Sequence, residues 1–151
     1  MKAIAKSLKE AIEDARPRLL LLSEAVAAAK PKPEKWSPKE IIGHLIDSAA
    51  NNHQRFVRAQ LGATALQPYR YAQDNWVRVQ HYQSADWLAL VSLWYFYNLH
   101  LAHVIAAIQP EFFDNQLDVW DEPATLRFVA EDYVRHLNHH LDQIFTFKKT
   151  I

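Results

Sequence analysis

Apolar residues recur at the ~3.6-residue spacing of an α-helix through four long segments of this chain. The segments run from about residue 2 to 29, from 38 to 61, from 84 to 109 and from 126 to 147, the last with Thr125 as its cap. Proline-rich or polar stretches separate them, which is typical of an all-α protein. With a long connection between the second and third helices, the pattern predicts a four-helix bundle.

The ends of the first two helices carry residues that begin, kink or stop a helix. Pro17 lies inside the first segment and is expected to kink or restart it. Ser37 can cap the second helix, Pro38 suits its first position, and Glu40 completes an S-x-x-E capping box. Gly62 is expected to end this helix.

The connection from residue 62 to 83, "GATALQPYRYAQDNWVRVQHYQ", has no clean period. A connection of this length predicts either a functional role or a short helix of its own. Tyr69, Tyr71 and Trp76 in this segment could line a pocket, and aromatic core packing beneath a loop is the alternative interpretation.

Composition excludes several classes of function. The formal net charge is +0, so the chain lacks the basic surface of a nucleic-acid or anionic-membrane binder. It has no cysteine, which excludes disulfides, thiolate metal ligands and a cysteine nucleophile. With two glycines it cannot build a glycine-rich phosphate loop. At 151 residues, the chain is expected to form one domain over residues 1–151. The N-terminus has no unbroken apolar run of the kind found in signal peptides, so we expect a cytoplasmic protein.

The eight histidines are unevenly placed, and three of them fall in "RHLNHHLDQI", residues 135–144. On a helical wheel, the apolar arc of the fourth helix is centred near Leu137. His139 projects about 160° from that centre and is expected in solvent. His140 and His136 project about 60° and 100° from it on one flank, where their four-residue spacing makes them neighbours.

A third histidine lies at a comparable edge of the second helix. His44 borders the apolar arc there, and a polar stripe of Ser48, Asn51 and Arg55 follows it along the helix. His53 projects about 180° from His44 and cannot share its site. His100 and His103 of the third helix lie away from its apolar face and are expected at the surface.

Three neutral imidazoles that meet between facing helices would form a three-ligand metal site with room for water or substrate. Periodicity does not show that the two flanks meet, and H-x-x-x-H alone is a weak signal, so two hydrogen-bonded edge histidines are the alternative interpretation. A di-iron carboxylate site is disfavoured because the E-x-x-H pattern is absent. Haem held by two histidines is a third alternative.

Two segments of the chain are similar, in sequence and in their order, to segments of a known family. "WSPKEIIGHLIDSAANNHQRF" (residues 36–56) is followed much later by "TLRFVAEDYVRHLNHHLDQI" (residues 125–144). Together they give a W-S-x-x-E helix start with its histidine, and then an H-x-x-x-H followed by Q-I. The chain resembles the DinB-like superfamily, the four-helix bundles of the DNA-damage-inducible and YfiT-type proteins, and the resemblance covers nearly the whole chain.

The resemblance implies that His44, His136 and His140 bind a divalent metal, with zinc or nickel as the first choices and iron or manganese as alternatives. It also implies a thiol S-transferase that uses a low-molecular-weight thiol of the bacillithiol type, or a metal-dependent hydrolase, acting on a small electrophile. A homodimer is a further implication, and DNA binding is not implied. The alternative is a non-catalytic, stress-related binding protein with a structural or vestigial metal site.

Seven polar or aromatic residues near these histidines are candidates for substrate binding: Ser48, Asn51, Arg55, Tyr71, Trp76, Asp132 and Gln143. Each also has a structural interpretation. Arg55 could extend along the bundle to water, and Asn51 could satisfy helix backbone groups. Asp132 could orient a ligand histidine or lie in solvent as an ordinary surface carboxylate.

Overall fold

The computed structural model describes residues 1–61, 71–118 and 122–148, which form six α-helices and one short β-ribbon. The helices are α1 (Lys2–Leu20), α2 (Glu24–Ala28), α3 (Pro38–Arg58), α4 (Gln73–Val79), α5 (Trp87–Ala107) and α6 (Leu126–Lys148). Two 3₁₀ turns occur at Tyr82–Ser84 and Pro110–Phe112. Strand β1 (Gln116–Leu117) pairs antiparallel with β2 (Ala124–Thr125), with Gln116 opposite Thr125.

The four long helices α1, α3, α5 and α6 form the predicted four-helix bundle. Helix α1 packs against α5 and α6, and α3 packs against the same two helices. The first two long helices in sequence therefore occupy diagonal corners, and α3 lies beside α6. This arrangement brings the helices that carry the three candidate ligands into direct contact.

The predicted caps of α3 and α6 are present. Ser37 Oγ accepts a hydrogen bond from the Glu40 backbone N–H at 3.3 Å, and Glu40 Oε2 accepts one from the Ser37 N–H at 2.8 Å. Thr125 Oγ1 accepts from the Phe128 N–H at 3.1 Å. These bonds satisfy amide groups that have no partner within the helix. Helix α3 ends at Arg58, three residues before the expected end, and Gly62 lies outside the described residues.

The first predicted helix, from about residue 2 to 29, is wrong as a single element. Pro17 lies within the last turn of α1 and does not break it, and the helix ends at Leu20. Ser23 then caps the separate helix α2, because its Oγ accepts from the Val26 N–H at 3.3 Å. The carbonyl of Leu19, freed at this end, accepts hydrogen bonds from the Leu22 N–H at 3.0 Å and from Trp87 Nε1 at 3.1 Å.

The third long helix begins later than predicted. Its cap is Asp86, whose Oδ1 accepts from the Ala89 N–H at 2.8 Å, whereas Ser84 belongs to the preceding 3₁₀ turn. The long connection before it contains α4 and this turn, as its length predicted.

Helix α5 contains no Asp, Glu, Lys or Arg. By length and composition alone it could cross a membrane, but its buried Trp94 and Leu101 form part of the bundle core, and the helix packs against α1 and α3. Its outer face exposes Leu88, Leu93 and Phe96. The homodimer stays a prediction, and this apolar face is a suitable surface for it.

Gly43 of α3 allows an aromatic ring to lie directly on the helix. A Cβ atom at this position would fall 2.1 Å from Cδ2 and 2.2 Å from Cγ of the buried Tyr82 ring. Gly43→Ala should therefore lower the free energy of unfolding by about 1–3 kcal/mol through overpacking. Helix propensity alone would give the opposite sign, a gain of ~1 kcal/mol. Urea denaturation of both proteins measures the difference.

The double variant Gly43→Ala/Tyr82→Ala is the control for this prediction. If the ring causes the loss, the two substitutions will be strongly non-additive, because removing the ring also removes the clash. A stabilising Gly43→Ala, or strict additivity, would contradict the close packing of Tyr82 on α3.

Candidate metal centre

Three histidines from α3 and α6 converge on one point of the bundle. Nε2 of His136 lies 3.2 Å from Nε2 of His44 and 3.1 Å from Nε2 of His140. The ligand atoms that the three residues offer all lie within 4.8 Å of one another. His44 is fully buried, and the other two are half-buried. The two flanks selected by the helical wheel therefore meet, and this group could hold a metal ion.

Burial keeps these imidazoles neutral. It lowers the pKa of His44 to about 3 and that of His136 to about 4, in both cases reinforced by the neighbouring histidines. Burial also lowers the pKa of His140, although a hydrogen bond to Gln143 acts in the opposite direction. At neutral pH each ring therefore has one nitrogen with a free lone pair, the form in which histidine binds metals.

Gln143 determines which nitrogen of His140 carries the proton. Its Oε1 lies 2.9 Å from His140 Nδ1 and can only accept, so Nδ1 carries the hydrogen and Nε2 is a bare lone pair. The amide nitrogen of Gln143 donates to His139 Nε2 at 3.0 Å, which is consistent with this orientation. Gln143, a predicted binding residue, thus supports a predicted ligand.

The two Nε2–Nε2 contacts cannot both be ordinary hydrogen bonds. With His140 Nε2 unprotonated, a proton on His136 Nε2 can be given to only one of its two neighbours. If His136 Nε2 is unprotonated, its lone pair faces that of His140. A cation between the three nitrogens would satisfy all three lone pairs. Tetrahedral zinc with Zn–N bonds of 2.0–2.1 Å places its nitrogens ~3.3 Å apart, close to the two separations measured from His136 Nε2. The donor set therefore fits a divalent ion.

Trp36 forms one wall of this centre and was not singled out as a site residue in the sequence. Its ring lies 4.9 Å from the ring of His44 and 6.3 Å from that of His140, measured between centroids. It belongs to the W-S-x-x-E start of α3, where Ser37 Oγ donates to Gln83 Oε1 at 2.6 Å. The linker before α3 (residues 29–37) is thus held against the histidines.

Asp47 is a second residue that the sequence interpretation missed. It lies one turn after His44 and is 3% exposed. Its Oδ1 accepts from Tyr82 Oη at 2.7 Å and from Gln80 Nε2 at 2.6 Å, while no described group pairs with its buried Oδ2. Burial raises the pKa of this carboxyl, against those two hydrogen bonds. Asp47 therefore fixes the segment after α4 on α3.

The polar stripe after His44 is largely engaged within the protein. Asn51 Nδ2 donates to the Asp47 carbonyl at 2.8 Å, and Asn52 Nδ2 donates to the Ser48 carbonyl at 2.9 Å. Arg55 Nη1 donates to Asn52 Oδ1 at 3.2 Å. Burial lowers the pKa of Arg55, against the raising effect of Tyr71 and Asp132. The stripe runs along α3 beside α6, but its role in substrate binding stays a prediction.

The aromatic and acidic candidates lie around this stripe. The ring of Tyr71 packs edge-on against Trp76, with centroids 5.1 Å apart, and burial raises the pKa of Tyr71 to about 12. Asp132 forms an ion pair with Arg135. Its negative charge acts to raise the pKa of His136, against the larger lowering effect of burial. Tyr69 lies outside the described residues.

The remaining helical histidines are placed as the wheel predicts. His139 is exposed beside the centre, and His100 and His103 are exposed on α5. His53 faces α5, where its Nδ1 lies 3.1 Å from Tyr97 Oη and its ring packs 5.1 Å from that of His100. It does not join the three-histidine group.

Replacing Gln143 with leucine should weaken zinc affinity by about 10–100-fold, because the acceptor that orients His140 is lost. Competition with a chromophoric chelator measures this change. Asp142→Asn alters the exposed neighbouring residue and should leave the affinity at the parent value. An unchanged affinity in Gln143→Leu would show that His140 needs no such support.

Comparisons with known proteins agree with this architecture. A family model described as the DinB superfamily matches residues 7–144. The fold is also similar to a solved structure described as "YfiT from Bacillus subtilis is a probable metal-dependent hydrolase with an unusual four-helix bundle topology". The TM-score is 0.81 at 17% identity, over 98% of this chain and 85% of that one. A comparison with curated protein sequences gives no match. Because the family model covers most of its length, the chain belongs to the DinB superfamily.

Proposed function

We propose that this protein is a divalent-metal-dependent enzyme in which His44, His136 and His140 hold the ion. The observation that carries the proposal is the convergence of these three neutral imidazoles. Nε2 of His136 lies 3.2 Å from Nε2 of His44 and 3.1 Å from Nε2 of His140. Zinc and nickel both suit this all-imidazole donor set. The description of YfiT as a probable metal-dependent hydrolase supports the same class of chemistry.

A divalent ion with three neutral ligands keeps its full charge, and it would supply Lewis acidity that lowers the pKa of a water or thiol at an open position. The chain's own residues prepare that position. Burial of His44 removes water from one side, Trp36 covers its ring, and Gln143 holds His140 in the required tautomer.

The substrates we propose are a small electrophile and either water or a low-molecular-weight thiol. The chain has no cysteine, so any thiol must come from a cosubstrate. Arg55 and Asn51, on the stripe that begins at His44, are proposed to hold the polar part of that cosubstrate. A cavity beside His140 and Gln143 favours an enzyme over a purely structural metal site, since a structural site is usually closed by a fourth protein ligand.

The test compares metal-stripped protein with the same sample reloaded with zinc or nickel. Each is assayed on an activated aryl ester, with and without added thiol, and the products are identified by mass. We expect turnover only after reloading, with a thioester product if the thiol is the nucleophile and a free acid if water is. Activity that survives complete metal removal would refute the proposal.

A further inference from the structure

A cavity of about 590 Å³ lies next to His140 of the three-histidine group. This volume falls in the range of roughly 300–1,000 Å³ that is typical of small-molecule sites. The linker before α3 forms one wall with Trp36, and the last turns of α6 form the other with Ile144 and Phe147. His140 and Gln143 lie on the same wall as Phe147, so the cavity opens directly onto one edge of the metal centre.

The interior of this cavity is apolar and aromatic. Trp36 and Phe147 present ring surfaces, and Ile41 and Ile144 contribute branched aliphatic surface. Ile41 and Ile144 are buried, whereas Trp36 and Phe147 are half-buried and retain accessible ring area. Such walls bind flat apolar groups through stacking and removal of apolar surface from water.

The charged residues of the cavity cancel one another. Lys32 and Lys35 are balanced by Glu34 and Asp74, and all four are exposed at the rim. Among the described residues that line the cavity, none is a buried charged group. In the metal-free protein, a charged ligand that entered would find no buried partner of opposite charge among these residues. Recognition here must therefore depend on apolar surface.

We propose that this cavity binds the flat, apolar and uncharged part of the substrate. The inference rests on the proposed function, because it places the substrate's reactive group at the edge of the centre formed by His140. Trp36 is the structural link, since its ring packs against His44 and the same residue lines the cavity. The substrate class is thus an electrophile whose aromatic or alicyclic part is uncharged, and this uncharged part is the group bound in the cavity.

The test uses two probes that share one ring system, 1-naphthol and the dianionic 1-naphthyl phosphate. Binding to the full chain is measured by titration calorimetry, first in the presence of EDTA. We expect 1-naphthol to bind and 1-naphthyl phosphate to bind at least tenfold more weakly. Phe147→Ser removes a half-buried ring from the cavity and should weaken 1-naphthol binding by about tenfold.

Phe96→Ser is the matched control, because it removes an exposed ring from α5, outside the cavity. It should leave naphthol binding unchanged. Tighter binding of the phosphate, or a naphthol affinity that Phe147→Ser leaves unchanged, would overturn the inference. Circular dichroism and thermal unfolding of Phe147→Ser verify that any lost binding occurs in a folded protein.

The same titrations separate this inference from the proposed function. Binding in EDTA reports on the cavity alone, so a chain that bound naphthol but no metal would refute the enzyme and leave the cavity's preference standing. In protein reloaded with Co²⁺, the ion should broaden the NMR signals of bound 1-naphthol. An absence of broadening at saturating naphthol would overturn the placement of the substrate at His140.

Discussion

The double variant His136→Ala/His140→Ala is expected to lose essentially all bound divalent metal while it keeps its helical structure. It removes two of the three ligands and leaves His44 alone, and one imidazole cannot retain an ion through extensive dialysis. The α6 core does not depend on the replaced side chains, because Leu137, Leu141 and Ile144 are buried and unchanged. Alanine is also favoured in a helix interior.

Elemental analysis of tag-free protein measures this effect. We expect close to one zinc or nickel ion per parent chain after reloading, and less than about a tenth of that in the variant, since metal affinity depends on the full ligand set. His139→Ala is the matched control, because it removes the exposed histidine next to His140 and should retain the metal. Equal metal loss in the control, or a parent that takes up neither ion, would refute the three-histidine site.

His44→Ala is a less informative substitution. His44 is fully buried between Trp36 and the α6 histidines, so its removal would leave a cavity as well as an incomplete ligand set. Any loss of metal would then be mixed with a loss of stability. The half-buried α6 pair separates the two effects.

The sequence predicted most of the scaffold because caps and periodicity are local properties. The S-x-x-E start at Ser37 and the Thr125 cap are formed by bonds between residues three apart. Periodicity likewise assigned His139 to solvent and His136 and His140 to one flank. It could not show that α3 and α6 are neighbours, because that depends on packing between distant parts of the chain.

Asp47 shows where periodicity fails. It projects about 170° from the centre of the apolar arc of α3, so a helical wheel places it in solvent. In the structure the segment after α4 covers this outer face, and Tyr82 and Gln80 bond to the carboxylate from more than thirty positions later in the sequence. Residues 41–49 of α3 are consequently all buried. A single helix gives no signal of a second layer on its polar side.

Lys39, like Asp47, is a charged residue of α3 that is buried by contacts with distant parts of the chain. It is 2% exposed, forms an ion pair with Glu24 of α2 and donates to the Ala85 carbonyl at 2.6 Å. These contacts join α2 and the residues before α5 to the start of α3. The split between α1 and α2, which the sequence did not reveal, is what allows Glu24 to reach this lysine.

The metal-free protein should lose stability steeply as the pH falls from about 6.5 to 5. In the unfolded chain histidine has a pKa of 6.5, whereas burial holds the pKa of His44 at about 3 and that of His136 at about 4. Between these values the unfolded chain binds protons that the folded chain does not, so acid favours unfolding. Each such histidine contributes up to ~1.4 kcal/mol per pH unit. His140, whose pKa is also lowered, acts in the same direction.

Urea denaturation in EDTA at pH 7.5, 6.5, 5.5 and 5.0 measures this slope. The raised pKa of Asp47 acts oppositely, because the folded chain gains that proton first, so the histidine effect is read above pH 5. His136→Ala/His140→Ala should flatten the slope by removing two of the four described histidines whose pKa is lowered, the other two being His44 and His53. His103→Gln, at an exposed position of α5, should keep the parent slope. A parent whose stability is constant over this range would show that the three imidazoles are not held neutral. The all-imidazole donor set proposed for the metal would then lose its electrostatic basis.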